Sequence, residues 1–515
     1  MFDSTTSQKI LSKQVPRNLI SNFVYFAINV IIGILLVPFF IDNLGVAGYA
    51  IIPLATSVTS YVGLVTQSLN TAVSRYLTVD LQNQDFKKAN VTFNTALFGT
   101  LGIILLTIPI AFVLSYYAPT FFDIPSSQNQ DAFLLFMGVI VAFLIRAWSS
   151  NFGVALFAYN RLDLQNIINT VNIIVQVSAI VLLFWFSSPK LSYIGFSYLL
   201  GSLAAFVVTI FLSRKINPHL KLNYSDFELS RLKSLAQMGG WVTVNQIGSL
   251  LFLQVDLIVV NKLFGATAGG EYSMVLIWST LLRAVAAMLA SVVTPIILAY
   301  YARKRYEDII TFSKKAVKFM GLAMALPIGI IIGFSPQILS LWVGPEFAKL
   351  SPLMLVLLIH LVINLSVLPL FSINVSFNKV RIPGIVTLFM GFGNFILAII
   401  LSLFTDWGYY GVAIAGAIML TTKNTLFIPW YASKVLEISK NTFTSSIVSG
   451  FLSVIAIVIT IKIINYYSEI SSLITLTICC MTLSVAYIII VWFVGLNQSD
   501  RNIIESFLPS SIRGR

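Results

Sequence analysis

Arg146, Arg283 and Lys423 each interrupt an apolar run of the sequence, and cations in such places can hold an anion. Counted inward from Asp131, Glu271 and Gly408, they lie 15, 12 and 15 residues along their runs. At helical rise that is roughly 18–22 Å, which sets all three at one depth. A cation facing hydrocarbon costs several kcal/mol, so each must face a cavity or a partner. Two roles fit: internal salt bridges that lock helices, or the lining of a substrate site. Asp256 is the one clear acid in the runs and could pair with Arg283. Three cations against one acid leave positive charge in excess. The expectation is therefore a cationic cavity for a phosphate or pyrophosphate.

Polar side chains surround that depth. His360 and Asn364 are four residues apart and share a helix face. They read as a buried, hydrogen-bonded pair or as a proton-coupling site. Gln67, Asn70, Asn172, Gln176, Asn245, Gln254 and Asn394 are further handles. They suit a hydrated cavity accepting sugar hydroxyls, or simply join helices in lipid. Asp256, His360, Asn364, Asn245, Gln254, Asn70 and Gln67 are the candidates for ion coupling, with H+ or Na+ as the ion, or for the cavity wall.

Composition says what must position these groups. The chain has 515 residues, 57% hydrophobic and 10% charged, with a mean hydropathy of +0.90. Soluble domains carry about 25% charged residues, so the natural unit here is the membrane span of about 20 apolar residues. Apolar runs predict fourteen spans: 18–41, 48–74, 91–115, 132–157, 166–186, 193–213, 236–260, 271–299, 316–337, 350–375, 382–404, 409–431, 443–466 and 471–494. The expected fold is an all-α integral membrane protein. An N-lobe (1–213) and a C-lobe (236–442) of six spans each are joined by a linker at 214–235. The pair 443–494 and a tail, 495–515, follow.

The net charge of +13 follows topology. With the N-terminus inside, the segments on the cytosolic side hold 25 of the 32 Lys and Arg, which is the positive-inside bias. Both termini are expected in the cytoplasm, and a nucleic-acid partner is not. The first 17 residues are too polar for a cleaved signal. Within the linker, FELSRLK at 227–233 alternates apolar with charged residues and predicts a short interfacial helix capped by Ser225 or Asp226.

The two lobes repeat. DNLGVAGYAIIPLATSV at 42–58 parallels NKLFGATAGGEYSMVLIWSTL at 261–281, and FAYNRLDLQNIINTVN at 157–172 parallels SFNKVRIPGIVTLFMG at 376–391. Two matches in one order point to duplication, with both halves starting on the same side.

Enzymatic motifs are absent. No GxxxxGK[ST] loop, HExxH or paired-cysteine motif occurs, so neither a cofactor nor a metal site is expected. Cys479 and Cys480 are adjacent and read as unreactive packing residues. A membrane-embedded glycan polymerase or ligase is the alternative from another class, and the short outer connections speak against it. The chain is expected not to be an enzyme.

NLGVAGY (43–49), SRYLTVDLQNQDFKKAN (74–90), AYNRLDLQNIIN (158–169), FELSRLKSLAQMGGW (227–241) and DLIVVNKLFGATAGGEYSM (256–274) carry a resemblance over nearly the whole chain. They resemble the polysaccharide-type flippases of the multidrug/oligosaccharidyl-lipid/polysaccharide exporter superfamily. The resemblance implies a V-shaped, alternating-access pair of lobes around a cationic cavity. It implies a partner, a polyprenyl (pyro)phosphate-linked oligosaccharide, turned from the cytoplasmic to the outer leaflet for surface polysaccharide synthesis. Membrane lipids and other glycan-pathway proteins are the further partners. Arg146, Arg283 and Lys423 would hold the phosphate, and spans 13 and 14 would offer a groove for the lipid tail. Lipid II flipping and ion-coupled drug antiport are the alternatives within the superfamily. An antiporter for cationic drugs should show acids where this sequence shows cations.

Overall fold

The structure, a computed structural model, describes residues 4–468 and 470–501, with the side chains of 4–13, 15, 19, 65–69, 71, 82, 238–242 and 245 outside the description. Gln67 and Asn245 therefore lie outside the described side chains. All regular structure among the described residues is helical. In order the α-helices are α1 (Ser4–Gln82), α2 (Phe86–Phe121), α3 (Asn129–Ala158), α4 (Leu162–Phe186), α5 (Leu191–Ile216), α6 (Leu229–Leu253), α7 (Val255–Ser291), α8 (Val293–Ala302) and α9 (Tyr306–Gly333). They continue with α10 (Ser335–Trp342), α11 (Ser351–Ile359), α12 (Leu361–Ser366), α13 (Leu368–Ser376), α14 (Arg381–Phe404), α15 (Tyr410–Thr422), α16 (Ile428–Val435), α17 (Thr444–Tyr467) and α18 (Leu473–Ile490).

Twelve helical segments among the described residues are long and apolar enough to cross a membrane. Two of them, Pro16–Leu64 and Gln246–Ala302, run to 49 and 57 residues. At 1.5 Å per residue each is over twice the roughly 30 Å of a hydrocarbon core. Each is broken at a glycine: Gly45 has φ 70°, ψ 170° and Gly265 has φ 84°, ψ 174°. A Cβ disfavours that backbone conformation strongly, so glycine is what allows the break.

The chain divides into two compact units, Met1–Gly270 and Glu271–Arg515. The repeat is written in their backbones. Gln84 and Lys304 both take φ near +55° just after a helix, as do Asn160 and Asn378. Each closes the helix with the same pair of bonds, for example Asn160 N to Phe157 O (2.9 Å) with Arg161 N to Leu156 O (2.8 Å). In the second unit the equivalents are Asn378 N to Val375 O (3.1 Å) and Lys379 N to Asn374 O (2.7 Å). This left-handed cap satisfies the last carbonyls, and asparagine tolerates its geometry.

In the first unit α3 packs on α5 where Gly138 meets Gly195, and a Cβ on Gly138 would lie 2.7 Å from the Gly195 backbone. Small residues at such crossings let helix backbones approach in lipid, where apolar burial alone drives little association. The connection from α5 to α6 is held by α2. Asn90 donates to His219 O (2.9 Å) and accepts from Lys221 N (2.8 Å). Asn94 does the same with Lys221 O (2.9 Å) and Asn223 N (3.0 Å). Four residues of helix and two of extended chain each advance about 6–7 Å, so the two amides pair with the linker as a neighbouring strand would. Arg231 then bonds Asp80 (2.8 Å) and Thr92. No separate interfacial helix forms: a single 3-10 turn, Tyr224–Asp226, is capped by Asn223, and α6 starts at Leu229 behind Glu228. The expected cap at Ser225 or Asp226 is thus corrected. Thr95 accepts from Glu228 N (3.0 Å) and takes over that role from outside the segment.

In the second unit α9 packs on α17. A Cβ on Gly450 would stand 2.8 Å from Gly321 Cα, and Gly329 and Gly333 face Ile457 and Ile461.

Candidate functional site

The second unit gathers most of the polar residues singled out above. Arg283 lies on α7, partly buried, with Nε donating to Ser279 Oγ one turn earlier (3.2 Å). It stands in electrostatic range of both His360 and Lys423. Lys423 is 7% exposed, its Nζ 3.5 Å from Thr387 Oγ1 on α14 and 6.0 Å from the centre of the Phe371 ring on α13. Two cations held in range of each other within an apolar unit are unfavourable unless an anion balances them.

Local structure places these groups. Lys423 opens a π-helical turn, Lys423–Phe427, between α15 and α16. Pro429 follows; it has no N–H for the carbonyl four residues back and its ring crowds that carbonyl, so the turn widens. His360 sits where α11 gives way to α12, and the next interruption, at Val367, precedes Pro369. Hydrogen bonds link these irregular points. Asn424 Nδ2 donates to Asn364 Oδ1 (3.0 Å), and Asn364 Nδ2 lies 2.6 Å from His360 Nδ1 and 3.4 Å from Thr421 Oγ1. His360, Asn364 and Asn424 are 8%, 2% and 6% exposed. Asn424 Oδ1 is buried without a hydrogen-bond partner among the described residues.

The first unit holds its own cation. Arg146 on α3 donates to Asn172 Oδ1 (2.5 Å) and Asn169 Oδ1 (3.0 Å), both on α4. Amide oxygens satisfy two of its donors without neutralising its charge. The spacing that carries Asn160 onto Asn378 carries Asn169 onto Thr387 and Arg146 onto Asn364. Both units therefore direct a cation to the same place on the equivalent helix, from different neighbours. Gln176 hydrogen-bonds Tyr198 on α5. Gln254 accepts from Ser57 (2.8 Å), and buried Asp256 is in electrostatic range of Tyr61. Asn70 is partly buried with Oδ1 enclosed, and Asn394 is fully buried. Gln176 and Gln254 thereby join helices within the first unit. At the start of α4, Asp163 bonds Arg161 (2.9 Å), and that bond raises the guanidinium's pKa from its ordinary value.

Asn169, Thr387, Thr421 and Asn424 are absent from the sequence expectations. Asn169 and Asn172 three apart, and Asn424 directly after Lys423, were the available signals.

A family model described as "Polysaccharide biosynthesis protein" matches residues 15–301. The chain is 31% identical over 488 residues to "Uncharacterized membrane protein EpsK" of Bacillus subtilis (strain 168), covering 95% of this chain and 96% of that protein. It is 24% identical over 439 residues to a "Putative O-antigen transporter" of Shigella flexneri, covering 83% and 100%. Among solved structures it is similar to the inward-facing conformation of a multidrug resistance MATE family transporter of the MOP superfamily, with TM-score 0.66 and 15% identity over 83% of this chain and 94% of that one. It is likewise similar to the lipid II flippase MurJ in an inward closed conformation, with TM-score 0.64 and 14% identity over 95% and 99%. At such identities the likeness is one of fold, an all-helical membrane-transporter architecture, and the chain is a multi-pass membrane protein.

Proposed function

The chain belongs to the polysaccharide biosynthesis protein family, and from that membership we propose that it flips a polyprenyl (pyro)phosphate-linked oligosaccharide from the cytoplasmic to the outer leaflet by alternating access. The observation that carries the reading is the pairing in range of Arg283 and Lys423 inside an apolar unit. Two cations in electrostatic range of each other at low dielectric favour a multiply charged anion, and a lipid-linked phosphate is the anion such a membrane site meets. Arg146, held in a fixed fork by two amides, is a further phosphate contact in the first unit. A carrier of cationic drugs would be served by acids at these positions. The Lys and Arg bias supports a topology with both termini in the cytoplasm, and the breaks at Gly45 and Gly265, each dividing one long apolar segment, support fourteen crossings. H+ or Na+ is the candidate coupling ion, and no step asks the protein to make or break a covalent bond.

The test is Arg283→Ala at matched membrane expression. Surface glycan export is expected to be lost, with Arg283→Lys restoring part of it because charge returns without the planar fork. Normal export by Arg283→Ala would refute the phosphate reading.

A further inference from the structure

His360, Asn364 and Asn424 form a chain with a direction. As it stands, Asn364 Nδ2 points at His360 Nδ1, so Nδ1 is the acceptor and the ring proton sits on Nε2. Asn364 Oδ1 accepts from Asn424 Nδ2, which leaves Asn424 Oδ1 as the buried, unpartnered end. A primary amide is nearly symmetric in shape, so one other arrangement has the same packing. With a proton on His360 Nδ1, Asn364 must present its oxygen there and its Nδ2 to Asn424. Asn424 then presents Oδ1 inward, and its Nδ2 takes the outer position. Thr421, 3.4 Å from Asn364, can follow by rotating its hydroxyl. One proton at His360 thereby converts the buried end at Asn424 from acceptor to donor.

Resting on the phosphate reading above, we propose that this chain is a proton-operated relay which matches the site to an anion: the protonated, donor-ending form is the one that receives the phosphate group held by Arg283 and Lys423. Asn424 is the chain neighbour of Lys423, and its enclosed Oδ1 without a partner among the described residues leaves that end of the amide chain open to a ligand. The charged groups on the surrounding elements include Arg283 of α7, Lys423 of the π-turn, and Glu346 and Lys349 of the 3-10 helix Pro345–Leu350 that packs on α11. Helix α9 carries Glu307, Asp308, Lys314, Lys315 and Lys318 towards its beginning, and α17 carries Lys462 in its last two turns. An anion at Arg283 and Lys423 attracts a proton to His360, and the proton strengthens the anion's hold. Linkage makes the two effects equal.

The experiment measures binding of inorganic pyrophosphate to the full chain at about pH 5.5 and about pH 8.5, either side of the ordinary imidazole range. Asn424→Leu is expected to weaken binding about tenfold at the lower pH and less than about twofold at the higher, the size of one charge-assisted hydrogen bond. In a His360→Leu background, which can neither donate nor accept, the same substitution should cost the same at both. The ligand's own protons are common to all variants and cancel. An Asn424→Leu effect that is independent of pH, or that stays pH-dependent in His360→Leu, overturns the relay while leaving the phosphate reading intact. Pyrophosphate binding that Arg283→Ala does not weaken overturns the phosphate reading and the relay with it. Nitrogen-15 spectra need no variant at the relay itself. The chain has two histidines, so His219→Gln isolates His360. The free protein at the higher pH should show the Nε2–H tautomer, and an Nδ1–H tautomer refutes the proposal.

Discussion

Gly45 and Gly265, 220 residues apart, share one backbone break, with φ of 70° and 84° and ψ of 170° and 174°. Neither would clash if given a side chain, since nothing lies within 4 Å of an added Cβ. The cost of substitution is therefore conformational alone. Gly45→Ala and Gly265→Ala should each destabilise the protein by about 1–3 kcal/mol. Asparagine should not help, because it tolerates the left-handed helical region and not this one. Thermal unfolding of the purified protein checks this: an unchanged midpoint in Gly45→Ala would show that the break is not what glycine is there for.

Arg146 should behave differently from Arg283. Its guanidinium spans Asn169 and Asn172 with two separate nitrogens, a planar fork that a compact ammonium does not reproduce. Arg146→Lys is expected to lose most of the glycan export that Arg146→Ala loses, whereas Arg283→Lys recovers part. Replacing Asn169 and Asn172 together by leucine leaves the charge without its fork and should lower export about tenfold, the worth of one charged hydrogen bond. Export rates in membranes with equal protein content decide it, and full activity of the double leucine variant would remove the positioning role.

These residues also mark where sequence reasoning reaches. Arg146, Arg283, His360, Asn364 and Lys423 stood out because lipid makes a polar side chain conspicuous, and the repeat stood out because its glycines and Asn-Arg or Asn-Lys turns recur. The predicted all-helical membrane architecture and the family resemblance are borne out by the fold and by the relatives. What spacing did not disclose was partnership. Nothing in the local sequence says that Asn424 faces Asn364, 60 residues away, or that Lys423 faces Thr387, because helix packing decides both. The helix start at Leu229 escaped for the same reason: its first turn leans on Thr95 of α2 instead of a cap within its own segment.

The linker clamp gives a local prediction. The amides of Lys221 and Asn223 donate to Asn90 and Asn94 side chains. Asn90→Ala and Asn94→Ala should each cost about 1 kcal/mol of local stability and speed hydrogen exchange at the matching amide roughly five-fold. The effect should be confined: Asn90→Ala speeds Lys221, Asn94→Ala speeds Asn223, and the core of α3 keeps its protection. Equal rates in wild type and Asn94→Ala would mean that Asn94 does not hold the linker.

The crossing of α9 and α17 offers the sharpest steric test. Gly450 stands over Gly321 so closely that its added Cβ would meet the Cα, carbonyl carbon and oxygen of Gly321 at 2.8 Å. The obstacle is backbone, which cannot rotate away as a side chain could, so the helices must separate. Separation would loosen Gly329 from Ile457 and Gly333 from Ile461 along the same seam. In lipid that packing is the main attraction between helices, since hydrocarbon replaces any lost apolar burial. Gly450→Ala is expected to cost about 1–3 kcal/mol as overpacking and Gly450→Val more. The reciprocal change is milder, because an added Cβ on Gly321 meets Gly450 Cα at 3.5 Å and Ser366 Cβ at 3.4 Å, ordinary contact distances. Unfolding midpoints should therefore fall in the order wild type, Gly321→Ala, Gly450→Ala, Gly450→Val. A Gly450→Ala protein as stable as Gly321→Ala would show that α9 and α17 have room to part without loss.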